Sequence, residues 1–577
     1  MPKISILKII PIEELPFNSP DYFIYFSTFE VNKGAIIKCT LKNKEIYGYV
    51  YEKLDFKKTK KILKEVDYQI KNIEEVYLKD NFISNIQEDL AIWISRNYGI
   101  SLAHAFYFFL NYFKKIKDFS PPSLEKGEKF KKIYLKDLDK NLLNEKPLLI
   151  LTPTEAYAKY VYEKLKEEII EDLILLDLDA KKEKFNEFIN LILKKEEKIY
   201  IGSKNSIFLP WQKLKSIIVY KEGDIFYKEY FKIPYFNYIN IIEKLAKLLK
   251  TKLILIDQFP SLKTVIDFNI EKPIEKINFE RFFSIFEINQ ILEKYRTVKI
   301  FVPTKLTARR LICAICFYEF QCPKCNYPLN IYENTAFCRI CFKNYKIENK
   351  CPNCESNDLL VKGIGANWLR KYLEKNGYFV YMINKEEDIK NFLKANYRNY
   401  ILIGSLYLLS PFLPKTDVGI FINFDFSIHS SNPFLKEKYL RILFDFSNLV
   451  KDLYLHTNLP EDKLEKIKNF EILKEIIEER KIQKLPPFYK IIKLISRLKN
   501  LELLNKRLLS AKETLNKNKL LQNVDIEIYG PFLERIPMKI KRYQLFLLIK
   551  HKTEINLKKL LEGVNYIEEI RADEEEI

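Results

Sequence analysis

Between residues 313 and 354 the chain reads Cys313-Ala-Ile-Cys316, Cys322-Pro-Lys-Cys325, Cys338-Arg-Ile-Cys341 and Cys351-Pro-Asn-Cys354, so eight of its nine cysteines form four C-x-x-C pairs inside 42 residues. A C-x-x-C turn points two thiolates at one tetrahedral metal, and two such turns complete a closed four-cysteine site. Disulfides would require an oxidising compartment, and iron–sulfur ligation is a further option, but even pairing into fours favours zinc. Two zinc ions are therefore expected, both structural, because a four-thiolate site leaves no open position for water. Spacing alone does not say which pairs share an ion. The ninth cysteine, Cys39, lies in an apparent strand and reads as a small buried hydrophobe.

Outward from this block, the 577 residues are too many for one core, so several domains are expected. Short apolar runs alternate with helical stretches, which gives an α/β reading. Leu148-Leu-Ile-Leu-Thr-Pro153 is a buried-strand run, followed by a helical stretch to about Ile169. Val31–Lys42 and Glu45–Glu52 alternate like two strands joined by a polar turn, residues 85–115 look helical, and Pro121-Pro122 reads as a linker. Leu464–Lys481 reads as solvated amphipathic helix. No apolar run reaches the ~20 residues of a membrane span. The N-terminus lacks the apolar block of a signal peptide, so a cytoplasmic location is expected.

Lysine and arginine exceed aspartate and glutamate by 97 to 77, a formal charge of +20. That excess suits a polyanionic partner, although a Lys- and Glu-rich solvated surface produces it as well. His104, His429, His456 and His551 are scattered without metal spacing and read as surface or packed side chains. Thirteen glycines in the whole chain is a small number for a protein that would need glycine-rich phosphate loops.

The order and spacing of the cysteine pairs resemble the family of primosomal replication-restart helicases (primosomal protein N′). That resemblance implies that Cys313, Cys316, Cys351 and Cys354 form one zinc site, and Cys322, Cys325, Cys338 and Cys341 the second. Gly363-Ile-Gly365-Ala, just beyond, is similar to the family's entry into a helix, here Asn367 to Lys375. Upstream, Leu15-Pro16-Phe17 and Val31-Asn-Lys-Gly34 through Gly48-Tyr-Val resemble the small β domain that grips a DNA 3′ end. Phe17, Asn18, Gly34 and Lys61 are its candidate DNA-binding residues, with Asn18 standing where the family has an acidic side chain. Ile92-Trp93-Ile-Ser-Arg96-Asn-Tyr98 resembles the winged-helix region. Gly202-Ser-Lys-Asn-Ser206-Ile-Phe-Leu-Pro210, Tyr227-Lys228-Glu229, Pro260-Ser261-Leu262, Leu485-Pro486-Pro487-Phe488, Gly530-Pro531 and Lys541-Arg542-Tyr543-Gln544 follow in family order. So does the acidic close at Asp573.

The implied architecture is multidomain α/β. A 3′-end-binding-like β domain spans 1–70, a winged-helix-like domain 71–120 and helicase lobe one 121–275. Lobe two takes 276–312 and 356–475 around a two-zinc insertion at 313–355, and an α+β C-terminal domain takes 476–577.

Five motor motifs of that family are missing. A Walker A loop needs Gly-Lys-[Ser/Thr], and no glycine here is followed by lysine. Its place, between about 130 and 148, holds Tyr134-Leu-Lys-Asp-Leu-Asp-Lys-Asn-Leu-Leu-Asn144. Walker B aligns with Tyr220-Lys221-Glu222-Gly223, and tyrosine cannot ligate magnesium as a carboxylate does. Ser-Ala-Thr becomes Asp257-Gln258-Phe259, and Gly-Thr-Gln-Met-x-x-Lys-Gly becomes Gly404-Ser-Leu-Tyr-Leu-Leu-Ser-Pro411. The arginine-finger segment falls near Phe446–Lys451, with Arg441 upstream as the only arginine between 404 and 479.

The expectation is a monomeric, non-motor restart protein that uses neither ATP nor magnesium. It would bind branched or forked DNA with a free 3′ end. Its protein partners would be primosome proteins, single-strand DNA-binding protein and the replicative helicase or its loader, with no membrane. Two other readings stay open: an ATP-dependent 3′-to-5′ helicase with a diverged nucleotide site, and a zinc-ribbon interaction scaffold.

Overall fold

Where β-branched and aromatic residues alternate near the N-terminus, the chain forms antiparallel strands, and where unbroken Leu/Ile runs recur, it forms parallel ones buried on both faces. The computed structural model describes every residue except 1–3, 17–18, 55–68, 80, 113–114, 117–128, 170–171, 230–233, 272–273, 304–308, 317, 325–327, 333–334, 339–342, 347–348, 363, 396, 429–432, 535–541 and 574–577.

The first unit is a six-stranded sheet built from Ser5–Pro11, Phe23–Ser27, Ile36–Leu41, Lys44–Lys53, Lys71–Asn72 and Glu75–Leu78. The expected hairpin is Ile36–Leu41 paired with Lys44–Lys53. Its two-residue turn, Lys42 and Asn43, has φ of 45° and 63°, the left-handed pair that a right-twisted hairpin requires. The last two strands pair with Phe23–Ser27 and Ile36–Leu41, so this sheet reaches to Leu78, past the boundary expected at residue 70. Two capped helices follow among the described residues, Asn85–Tyr98 and Leu102–Leu110, and they pack into the same core as the first lobe.

Lobe one is a fully parallel sheet in the order Lys131–Leu135, Lys252–Ile256, Ser216–Tyr220, Leu148–Thr152, Ile199–Ser203, Leu173–Leu176. Lobe two repeats the plan with Glu280–Phe282, Val450–His456, Thr416–Phe421, Thr297–Phe301, Tyr400–Gly404 and Val380–Ile383, again all parallel. The helices Glu461–Lys468 and Ile472–Ile482, expected as solvated, bury Leu464, Ile467, Ile472, Leu473 and Ile476 in the core of lobe two. Their charged faces dominate the sequence pattern, while one apolar stripe decides the packing.

A small five-stranded sheet from Arg309–Cys313 to Leu359–Lys362 leaves lobe two and returns to it. The chain closes on a four-stranded antiparallel sheet packed against the helix Leu501–Gln522. Asp573 then accepts hydrogen bonds from Tyr98 Oη at 2.8 Å and Asn240 Nδ2 at 3.0 Å, tying the C-terminal unit to the N-terminal helices and to lobe one.

Candidate functional site

In open parallel sheets a ligand is received outside the carboxyl ends of the strands. In lobe one those ends face the lobe-two helix Pro433–Ser447 across a cleft. The strand Lys131–Leu135 runs into Lys136–Asp139 and then a five-residue 3₁₀ turn, Lys140–Asn144. Asp139 caps that turn by accepting the Asn141 N–H at 2.9 Å, so a carboxylate of the chain takes the amide that would face a phosphate. Tyr134 Oη, just before it, donates to Asp257 O at 2.8 Å.

The cleft is bridged by side chains. Arg441 Nη1 lies 3.0 Å from Asp257 Oδ2, with both side chains almost wholly buried, and Nη2 donates to Phe259 O. Asp257 is held in turn by the Gly223 N–H at 2.9 Å and the Phe259 N–H at 3.0 Å. Any Cβ at Gly223 would run into the Arg441 guanidinium, which explains a glycine at this place. Lys221 Nζ crosses to Asp445 Oδ1 at 2.9 Å.

Phe259 is fully buried within the core of lobe two, its ring 5.6 Å from Phe444 and 5.5 Å from Phe470, with the Arg441 guanidinium 4.8 Å above it. A ring carried by lobe one is therefore part of lobe two's packing. The ion pairs and the ring together fasten the lobes, and a cavity of about 270 Å³ remains beside them, lined by Lys136, Tyr157, Tyr220, Lys415 and Asn448 among others.

The electrostatics follow from this arrangement. Burial works against charge on Lys221, but Asp445 and its neighbours outweigh it and hold the ammonium well above its usual pKa. Arg441 is likewise raised despite burial, by Asp257 first and then Asp445, Asp224 and Glu222. Glu222 and Asp224 are pushed up by burial, Glu222 further by Asp257. Glu222 also accepts the Ser261 N–H at 2.7 Å. Four carboxylates thus surround Lys221 and Arg441, while Lys136 and Lys415 line the cavity beside them.

The cysteine block supplies a second candidate site. The sulfur atoms of Cys313, Cys316, Cys351 and Cys354 lie within 4.8 Å of one another, with Cys313–Cys354 at 3.4 Å and Cys316–Cys351 at 3.5 Å. Tetrahedral zinc–sulfur bonds of ~2.3 Å need that sulfur spacing, so the donor set fits the metal. Cys322 and Cys338 are both fully buried in the small ribbon core with Leu311, Phe320 and Leu329. Their expected partners, Cys325 and Cys341, lie outside the described residues, as do Phe17, Asn18 and Lys61. Gly34 is buried at φ +90°, its N–H bonded to Val50 O at 2.8 Å, and a side chain there would meet Asn81.

Sequence reasoning missed Arg441, Asp257, Lys221, Asp445 and Phe259 as one constellation. The signal was present in the sequence: Lys221, Asp257 and Phe259 are cationic, acidic and aromatic residues in segments that follow parallel strands.

Two parallel-sheet lobes and an inserted cysteine ribbon define a multidomain α/β protein. The family model described as "Double zinc ribbon" matches residues 320–369. Nearly the whole chain is similar to replication restart protein PriA of Helicobacter pylori, at 24% identity over 92% of this chain and 93% of that one. The protein of the same name from Borreliella burgdorferi is 26% identical over 74% of this chain and 71% of its own. The family resemblance read from the motifs is borne out by these relatives. Among solved structures, RecG bound to a three-way DNA junction aligns over 74% of this chain and 49% of that one, at 9% identity and a TM-score of 0.35. Yeast Dbp5 bound to RNA and ADP BeF3 covers 70% and 88% at 11% identity and a TM-score of 0.31. No helix among the described residues is long and apolar enough to cross a membrane.

Proposed function

We propose that this chain is a replication-restart protein that recognises stalled forks or D-loops as a fixed two-lobed body, without using ATP or magnesium. The observation that carries this reading is the bridged cleft: Arg441 on Asp257, Lys221 on Asp445, and Phe259 seated in the opposite lobe. A motor opens and closes that cleft in each cycle. Here every cycle would have to break two buried or half-buried ion pairs and withdraw an aromatic ring from a packed core. Removing one partner of a buried pair costs about 3–5 kcal/mol, and no phosphate contact compensates.

In this reading the N-terminal β unit receives the DNA 3′ end near Phe17, Asn18, Gly34 and Lys61. The winged-helix-like unit and the basic lobes hold the duplex arms through phosphate contacts. Cys313, Cys316, Cys351 and Cys354 would hold one zinc ion, and Cys322, Cys325, Cys338 and Cys341 a second. With four thiolates each, the ions would fix the ribbon and do no chemistry. The ribbon and C-terminal domain would then recruit the primosome proteins that reload the replicative helicase.

The test is ATP hydrolysis by the zinc-loaded protein, with and without a fork bearing a free leading-strand 3′ end, scoring DNA binding in the same samples. Tight fork binding with no stimulated hydrolysis is expected. Fork-stimulated hydrolysis would replace this reading with that of a diverged helicase, and no preference for forks over plain duplex would end it.

A further inference from the structure

At the carboxyl ends of the lobe-two strands, apart from the bridged cleft, lies an exposed aromatic surface. Phe283 and Phe286 directly follow the strand Glu280–Phe282 and are 54% and 70% exposed. Phe286 meets Tyr372 edge-on at 6.2 Å, and Tyr372 lies stacked on Trp368 at 5.2 Å and 15°. The Arg281 guanidinium covers Phe283 at 4.5 Å, anchored by a 3.0 Å bond to Leu459 O and by Glu461 at 3.3 Å. Both parts belong to one end of the sheet. Phe282 O accepts the Thr457 N–H, just past one strand end, and Ile364 O accepts from Asn423, just past another.

The helix Ala366–Lys375 explains the pattern. It turns Ala366, Leu369 and Leu373 into the core. Trp368, Lys371, Tyr372 and Lys375, spaced i, i+3, i+4 and i+7, then share another stripe, on which both lysines are exposed. Rings and ammonium groups therefore alternate along one face. Beside this stripe, Glu287 caps Ser284 and Glu374 pairs with Arg370 at 3.1 Å.

Exposed rings at the rim of a ligand-receiving sheet end, interleaved with lysines, match the recognition of unpaired bases. Each base offers a face to stack on and each phosphate a charge to neutralise. Paired bases offer no free face, so duplex would gain little here. We propose that Phe283 and Phe286, backed by Tyr372 and flanked by Lys375, form a stacking platform for the single-stranded arm of the branched DNA. The proposal rests on the branched-DNA reading and names the part of the substrate this surface takes.

The test compares a fork with fully duplex arms and the same fork with one unpaired oligothymidine arm, using fluorescence anisotropy on the full-length, zinc-loaded protein at fixed salt. In the wild type the unpaired arm should tighten binding about tenfold, as stacking of even one base would do. The double variant Phe283→Ala/Phe286→Ala should lose that gain and bind the duplex-armed fork like wild type, while Phe286→Trp should retain it. Both replaced side chains are exposed, so unchanged binding of the duplex-armed fork also reports an intact fold. No gain in the wild type, or a gain the double variant keeps, would overturn the platform. A wild type that prefers neither fork over plain duplex would instead overturn the reading it rests on.

Discussion

Arg441, on a lobe-two helix, donates to the Asp257 carboxylate of lobe one at 3.0 Å, and this buried pair bridges the cleft between the lobes. Its partners make its removal asymmetric. Without the guanidinium, Asp257, the carboxylate that raises Arg441 most, loses its cation, and Glu222 and Asp224 lose one that faces them. Arg441→Met should therefore destabilise the protein by about 3–5 kcal/mol. Adding Asp257→Asn, which removes the stranded charge, should recover most of that loss. A chemical-denaturation cycle over the four proteins measures it, and additive effects would show that the two groups are not coupled.

Phe259→Ala removes the ring that lobe one places in lobe two. The cost should be in the range of about 3–5 kcal/mol for a fully buried phenylalanine. It should also weaken the coupling of the lobes. Hydrogen exchange should rise in Tyr220–Asp224 and in the helix Pro433–Ser447 together, while the C-terminal sheet stays protected. Exchange confined to residues next to 259 would show that the ring packs without fastening the lobes.

The parallel lobes were legible because unbroken runs such as Leu148–Thr152 have few other ways to be buried, and the hairpin because Lys42-Asn43 separates two alternating strands. The cluster of Cys313, Cys316, Cys351 and Cys354 was legible because C-x-x-C spacing is local. The cleft was not. Arg441 and Asp257 are 184 positions apart, and their pairing depends on how two separately folded lobes dock. The missing motifs reported only an absence; the replacement side chains had no recognisable spacing of their own. The extent of the first sheet was hidden for a similar reason, since Lys71–Asn72 is too short to carry a strand pattern and is fixed by its partner Phe23–Ser27.

Zinc removal should act locally. Chelation should release two ions per chain, and Cys351→Ser should lower the zinc content of the purified protein to about one ion. Because the ribbon has its own small core, the lobes should keep their thermal transition while protection from proteolysis is lost near Arg309–Lys362. Global unfolding on chelation would place the metal in the main core instead.

Lys299 gives a pH-dependent prediction. It sits in the central strand Thr297–Phe301 between Leu402 and Gly419, fully buried, and its ammonium has no hydrogen-bond partner among the described residues. Burial, with Lys415 nearby, lowers its pKa from the ordinary 10.5 to about 8. The folded state then gives up the proton more readily than the unfolded one. Stability should climb as pH rises from about 8 to 10.5, and the full cost of the buried charge should be felt below about 8. A shift of that size corresponds to about 3 kcal/mol at neutral pH. Lys299→Met should therefore stabilise the protein by up to that amount at pH 7, with the advantage shrinking toward zero above pH 10.5. Denaturation of both proteins across this range is decisive, because a pH-independent difference would mean that the variant changes packing and not the cost of a buried charge.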